Sequence, residues 1–137
     1  MPREIRNRRS SRRQVVPRFL DARVEASGIR GEARSYRVVD ISVQDLCFEV
    51  PVGTETVQTG NNLTDVTIRA GHFSIECHLA VLRTWKPLSS VIHCGARLYP
   101  KSEDDQNELV ALVNALESTS REQTLTASSY AIKSSIT

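Results

Sequence analysis

Phe73-Ser74-Ile75-Glu76-Cys77-His78-Leu79-Ala80-Val81 places Phe, Ile, Cys, Leu and Val at alternate positions. Period two is the signature of a strand with one face in a core and the other in water. This is the longest such alternation in the chain, and the same pattern recurs on both sides of it. Downstream, Lys86 to Ser90 reads as a turn containing Pro87, and Ile92, Cys94, Ala96 and Leu98 form another strand, stopped by Pro100. Upstream, Val66 and Ile68 mark a strand that Gly71 turns, and residues 51–62 read as a loop with Gly53, Gly60, Asn61 and Asn62. Leu46, Phe48 and Val50 make a strand stopped by Pro51. Residues 34–42 make another, with Val39 and Ile41 facing the core. Leu20, Ala22, Val24 and Ala26 alternate with Asp21, Arg23 and Glu25 in the first strand, followed by a turn from Ser27 to Gly31. Six short strands at this spacing suggest a closed barrel or a sandwich.

The period changes after Pro100. Ser102 caps a helix, with Asp105 three residues on, close to a capping box. Leu109, Leu112, Val113 and Leu116 share one face at helical spacing and are expected to lie on the strands. Residues 118–137 hold ten Ser or Thr and read as a mobile tail. At the other end, residues 1–17 show no apolar periodicity and read as a flexible arm ending at Pro17. The organisation is therefore a basic arm over 1–17, a folded unit over 18–117 and a Ser/Thr-rich tail over 118–137.

The length of 137 residues suits about one domain. With 39% apolar and 5% aromatic residues, the core is expected to be mostly Val, Leu, Ile and Ala. No run approaches the ~18 apolar residues of a membrane span, and no apolar stretch follows the N-terminal arginines as a secretion signal requires. The expectation is a cytoplasmic protein without membrane insertion. Three scattered cysteines, Cys47, Cys77 and Cys94, do not suggest a disulfide framework. The pairs Cys77-His78 and His93-Cys94 do not make a metal site, because neighbours on a strand point to opposite faces. No Gly-rich phosphate loop or nucleophile elbow stands out. The expectation is a binding protein rather than an enzyme, with no cofactor and no metal.

Charge points to the partner's chemistry. Residues 1–18 carry seven arginines against the single acid Glu4, while the remainder carries 11 basic and 15 acidic residues, about −4 in all. A basic arm on a mildly acidic body calls for an anionic partner. Arg8-x-x-x-Arg12 and Arg9-x-x-x-Arg13 stand just ahead of the first strand. Arginine's planar fork donates two hydrogen bonds at once to phosphate or guanine, and it stacks on bases. A plain basic tail is the alternative. Asp40 and Ser42, two apart on a strand, are expected to face outward together. There Asp40 would accept guanine N–H groups and Ser42 would donate or accept; a simple strand-end turn is the alternative.

The order of these elements resembles the PilZ family. An Arg-x-x-x-Arg arm precedes a first strand, and Asp40-Ile41-Ser42-Val43-Gln44-Asp45-Leu46-Cys47-Phe48 is similar to that family's Asp/Asn-x-Ser-x-x-Gly motif and following strand. Ile92 to Leu98 resembles its last barrel strand, and the closing helix fits. The resemblance covers about residues 8–117. It implies an all-β fold: a six-stranded antiparallel β-barrel with a C-terminal α-helix and a flexible basic N-terminal arm. It also implies a bacterial second-messenger receptor that binds cyclic di-GMP and signals through an effector protein that the sequence does not identify.

Carried over position by position, the ligand residues are Arg8, Arg9, Arg12, Arg13, Asp40 and Ser42, together with Asp45. The preferred arginine pair is Arg9 with Arg13, which leaves the shorter lead into the strand. Asp45 stands at the motif's glycine, where positive φ and close backbone approach are expected. Asp tolerates left-handed geometry better than most residues, but its carboxylate adds negative charge beside a doubly anionic ligand. Trp85 either stacks a guanine or closes a barrel end. His93 and Arg97 either line the site or form a solvated face. Two rivals remain at this stage. One is a PilZ-like protein-interaction domain that binds no nucleotide. The other is a basic-armed barrel for nucleic acid, disfavoured because few exposed aromatics are available for base stacking.

Overall fold

The computed structural model describes residues 12–27, 33–53 and 57–136, with side chains described as far as residue 119. Seven strands and one helix follow in order: β1 (Gln14–Val15), β2 (Arg23–Ser27), β3 (Ala33–Ile41), β4 (Asp45–Pro51), β5 (Asn62–Ala70), β6 (Phe73–Leu88), β7 (Val91–Pro100) and α1 (Glu103–Ile136). All pairings are antiparallel. β2, β3, β4, β7, β6 and β5 pair in that cyclic order, and β5 returns to β2, so the six strands close into a barrel. Closure removes the exposed sheet edges that an open sheet of this length would present.

The barrel interior holds the apolar half of each alternation. Val24, Val38, Phe48, Ile68, Ile75, Leu79 and Cys94 are fully buried, and Tyr36 stacks on Phe48 with ring centroids 5.5 Å apart. The helix seats Leu109, Leu112, Val113 and Leu116 in the same core, against β6, β7 and β1. Its start follows the expected cap. Ser102 Oγ accepts the Asp105 N–H at 3.1 Å and donates to the Asp105 carboxylate at 2.6 Å. The other Asp105 oxygen accepts the Glu76 N–H at 2.8 Å, which ties the cap to β6. Glu103, Asp104 and Asp105 place negative charge where the helix dipole favours it.

Four sequence expectations change. First, ordered structure begins before Pro17: Gln14 and Val15 already pair with Ile41 and Asp40, and Val16 is buried. A two-residue strand is too short for its alternation to stand out. Second, β6 runs to Leu88 through the expected Lys86–Pro87 turn, and the hairpin turns at Ser89–Ser90. Pro87 is tolerated there because the register slips between Trp85 and Leu88, and a bulge needs no ladder hydrogen bond from it. Third, α1 continues to Ile136 through the Ser/Thr-rich segment expected to be a mobile tail. Residues 103–136 hold no Gly or Pro, and Ser and Thr cost only a few tenths of a kcal/mol each, ~0.5, in a helix. Fourth, in β3 the inward residues are Tyr36, Val38 and Ile41, not Val39. The register slips between Val38 and Asp40, so Val39 is the extra residue of a β-bulge.

Candidate functional site

The bulge in β3 positions the arm. β2 occupies one edge of β3 over residues 33–37 and then leaves it. The vacated edge, beyond the Val38 N–H bonded to Ala22, is taken by β1: the Val16 N–H donates to Val39 O at 2.9 Å, and Val15 and Gln14 sit opposite Asp40 and Ile41. Arg13, one residue earlier, is thereby delivered to the β3–β4 turn. Its Nε donates to Asp45 Oδ1 at 3.1 Å, and its Nη1 lies 3.8 Å from Asp40 Oδ1. Arg12 is exposed beside it. Arg8 and Arg9 lie outside the described residues.

The turn itself is organised by Ser42. That residue is fully buried, which corrects the expectation that it faces outward with Asp40. Ser42 lies just past the end of β3, in the turn to β4, where strand alternation no longer sets the facing. Ser42 Oγ accepts the Gln44 N–H at 3.1 Å and the Asp45 N–H at 3.0 Å, and lies 3.0 Å from Asp45 Oδ1, to which it can donate. Ser42 N–H donates to Asp45 O at 2.8 Å, and the Gln44 carbonyl accepts from Leu98 on β7. Ser42 is thus the internal acceptor of the turn, the strand-end role that Ser often takes.

Asp45 is not left-handed: among the described non-glycine residues only Asp65 has positive φ, at 54°. The backbone reason for a glycine at position 45 therefore does not apply to this chain. Its side chain, not its backbone, is what differs, and that side chain holds Arg13.

Asp40 is the half-buried acid of the site. Its Oδ1 has no hydrogen-bond partner among the described residues, and at 3.8 Å the Arg13 guanidinium reaches it as a charge only. Burial pushes the Asp40 carboxyl above the usual carboxylate range; Arg13 opposes the shift and the neighbouring Asp45 charge adds to it. On Arg13, partial burial works against the cation, but the Asp45 hydrogen bond and charge outweigh it and hold the guanidinium more basic than usual. An unpaired buried acceptor beside a docked arginine is a costly arrangement for a surface with no ligand to receive.

The barrel's outer face continues from Asp40 in two lateral rows. Asp40 pairs with Cys47, Cys47 with Gly95, and Gly95 with Arg83; one row over, Arg37, Glu49, His93 and Trp85 follow one another. Arg37 Nη1 bonds Glu49 at 3.1 Å, and His93 Nε2 lies 4.0 Å from the same carboxylate. His93 meets Trp85 edge-on at 5.6 Å, and Arg83 Cζ lies 4.7 Å from the Trp85 ring centroid. Arg97 sits opposite Asp45 and is exposed. Cys47 belongs to this outer row yet is 1% exposed, and burial pushes its thiol up to about 12.

Trp85 therefore does not close a barrel end. It lies on the same outer face as Asp40, with His93 beside it. The sequence reading missed Arg83, Gly95 and Cys47. Gly95 was the available signal, since a glycine in mid-strand marks a bulge or a close approach. Among the described residues no cluster of three or more metal-ligating side chains exists, and no helix is long and apolar enough to cross a membrane.

No family model matches the chain, and no curated protein matches it. Solved structures do. MrkH of K. pneumonia in its complex with c-di-GMP is 14% identical with a TM-score of 0.73, over 82% of this chain and 53% of that one. The PilZ domain of YcgR from Escherichia coli with c-di-GMP is 12% identical with a TM-score of 0.65, over 82% of this chain and 94% of that one. The Bacillus subtilis inhibitor of motility MotI/DgrA is 18% identical with a TM-score of 0.61, over 78% of this chain and 49% of that one. The chain thus spans about half the length of MrkH and nearly all of the isolated YcgR domain. The closed six-stranded antiparallel barrel with its C-terminal helix is a PilZ-like fold.

Proposed function

We propose that this chain is a bacterial receptor for cyclic di-GMP that signals through a partner protein. One observation carries the reading: Arg13 is docked at the end of β3 beside Asp40, whose buried Oδ1 lacks a hydrogen-bond partner. The chemistry suits guanine. A guanine's N1–H and N2–H groups donate in parallel to a carboxylate, and an arginine fork takes phosphate oxygens or the O6/N7 edge. Asp40 supplies the acceptor and Arg13 the donor. With Arg13 at the site, the residue four earlier is Arg9, which supports Arg9 and Arg13 as the working pair, with Arg8 and Arg12 as flanking positive charge. Ser42 contributes by holding the turn. MrkH and YcgR, of similar fold, were solved with c-di-GMP bound, which favours the same ligand here.

Binding draws the arm further onto the barrel and replaces the Asp45 carboxylate as the anion that Arg13 faces. The changed surface is what a partner reads, since ligand-driven ordering of a segment is a general switching device. The effector is a protein whose identity the site does not specify, and the site's role is binding rather than catalysis.

The Arg13–Asp45 ion pair favours a second reading as well. It docks the arm on the barrel with no ligand, as a PilZ-like protein-interaction domain without nucleotide would. Calorimetric titration with cyclic di-GMP separates the two. Saturable heat, with GMP much weaker, is the expected result. Heat equal to buffer dilution from folded protein at near-millimolar ligand overturns the nucleotide reading and leaves the interaction domain.

A further inference from the structure

Gly95 lies buried in the middle of the outer row, between Cys47 on β4 and Arg83 on β6. A Cβ at this position would stand 3.4 Å from Arg83 Cγ, 3.4 Å from Trp85 Cζ3 and 3.5 Å from Arg83 Nε. Arg83 is therefore folded down over the β7 backbone, in a trough that exists because position 95 has no side chain. Trp85 backs it, with Arg83 Cζ 4.7 Å from the ring centroid, and His93 abuts the tryptophan edge-on. The trough and the aromatic ring together favour this position for an exposed side chain.

The placement of the charge is informative. Among the described residues Arg83 has no carboxylate partner, in contrast to Arg13, Arg23, Arg37 and Arg69, each of which is paired with an acid. The nearest acid along its row is Asp40, two strands beyond Gly95. Strands lie about 4.8 Å apart, so the Arg83 guanidinium above β7 stands roughly 10 Å from the β3 strand that carries Asp40. That is the scale of one nucleotide, from the base edge to its phosphate. A cation set on an aromatic ring, without a salt-bridge partner among the described residues and with the Asp40 charge only at longer range across a glycine trough, is suited to an anionic group of a ligand that spans the two.

We infer that Arg83 is a second ligand arginine, supplied by the barrel rather than the arm, which takes a phosphate of the guanine nucleotide whose base edge Asp40 accepts. Trp85 is its positioning residue and Gly95 the residue that makes room for it. The inference rests on the nucleotide reading above, and the ligand class it names is a purine nucleotide phosphodiester lying across β3, β4 and β7.

The test is titration of the full chain with cyclic di-GMP at several salt concentrations. Wild type is compared with Arg83→Ala, Arg83→Lys and Gly95→Val, and the emission of Trp85, the only tryptophan, is followed in the same samples. Arg83→Ala is expected to weaken binding about ten- to a hundred-fold, the range for losing a charge-assisted hydrogen bond. It should also make binding less sensitive to salt, because one charge attraction to a ligand phosphate is lost. Its melting temperature should stay within ~2 °C of wild type, as for most exposed substitutions. Arg83→Lys recovers part of the loss, because charge returns without the planar fork. Gly95→Val lifts the arginine out of the trough and reproduces the loss with the charge still present; if this variant does not fold, Arg83→Ala and Arg83→Lys decide alone. Ligand should also change Trp85 emission. If wild type binds while Arg83→Ala binds within twofold and with an unchanged salt dependence, the inference is overturned and the nucleotide reading stands. If wild type gives no heat, both fall together.

Discussion

Replacing Ser42 by Ala distinguishes most sharply between a side chain that contacts a ligand and one that holds a turn. The structure makes it the latter. Ser42 is 0% exposed, and its hydroxyl accepts the Gln44 and Asp45 N–H groups at 3.1 and 3.0 Å while lying 3.0 Å from the Asp45 carboxylate. Alanine removes the shared acceptor. The Gln44 amide sits on an exposed residue and finds water, but the Asp45 amide belongs to a half-buried one. With a net cost near 1 kcal/mol for each lost hydrogen bond and somewhat more for an amide left unsatisfied, the change costs about 2–3 kcal/mol. In a domain of roughly 100 residues each kcal/mol lowers the melting temperature by at least about 4 °C, so Ser42→Ala should melt about 8–12 °C below wild type. Thermal melting followed by circular dichroism measures this. Amide exchange at Gln44 and Asp45 localises it, because both protons should exchange faster than in wild type while those of β6 follow only the global loss. An exposed serine at a ligand surface would behave differently, shifting stability by no more than ~0.5 kcal/mol. If Ser42→Ala melts within ~2 °C of wild type yet loses cyclic di-GMP, the hydroxyl is a ligand contact and the turn argument is wrong.

Other substitutions probe the charges around that turn. Asp40→Asn should raise the melting temperature at pH 7 and weaken cyclic di-GMP. Burial raises the folded-state pKa of Asp40, so this group supports folding in its neutral form and that support is lost as pH rises through the folded value; the gain from Asn should vanish in acid, where both side chains are neutral. Asp45→Asn and Asp45→Gly should tighten cyclic di-GMP by similar factors at low salt, with a gain that shrinks as salt rises, because position 45 has no positive φ for glycine to relieve; a gain confined to glycine and indifferent to salt contradicts this. The three thiols are buried, with pKa values pushed up to about 12 for Cys47, about 12 for Cys77 and about 11 for Cys94. A disulfide reagent at pH 8 should label them only after denaturation. Their linkage runs the opposite way to that of paired acids: unfolded thiols ionise near their ordinary value of 9.0 while folded ones stay protonated, so stability should be flat below about pH 9 and fall as pH rises beyond it.

How much of this was legible in the chain follows from the range of the forces involved. Period-two alternation reports which side chains face a core, and it is a local property; six strands, their approximate bounds and the capped helix face of Leu109, Leu112, Val113 and Leu116 could therefore be read directly. So could the arginine excess ahead of the first strand and the Asp40-x-Ser42 spacing at the end of the second. What could not be read depends on pairing between distant segments. The bulge at Val39 falls where β3 pairs with β4 on one edge and exchanges β2 for β1 on the other, and it lets Val38 and Ile41 both face the core with Asp40 outside; Ser42 turns inward because it has left the strand for the turn to β4. A one-residue slip reverses side-chain facing, so parity counted along the sequence fails beyond it. The same cause hid Arg83. Leu82 is the extra residue in β6, and only after that slip do Arg83 and Trp85 come opposite Gly95 and His93 on the outer face. The character of Asp45 was likewise a tertiary matter: its sequence position suggested a strained backbone, whereas the fold leaves its φ ordinary and brings Arg13, 32 residues away, to its carboxylate. Composition and period determined the strands and the helix; the register between strands decided which residues meet at the site.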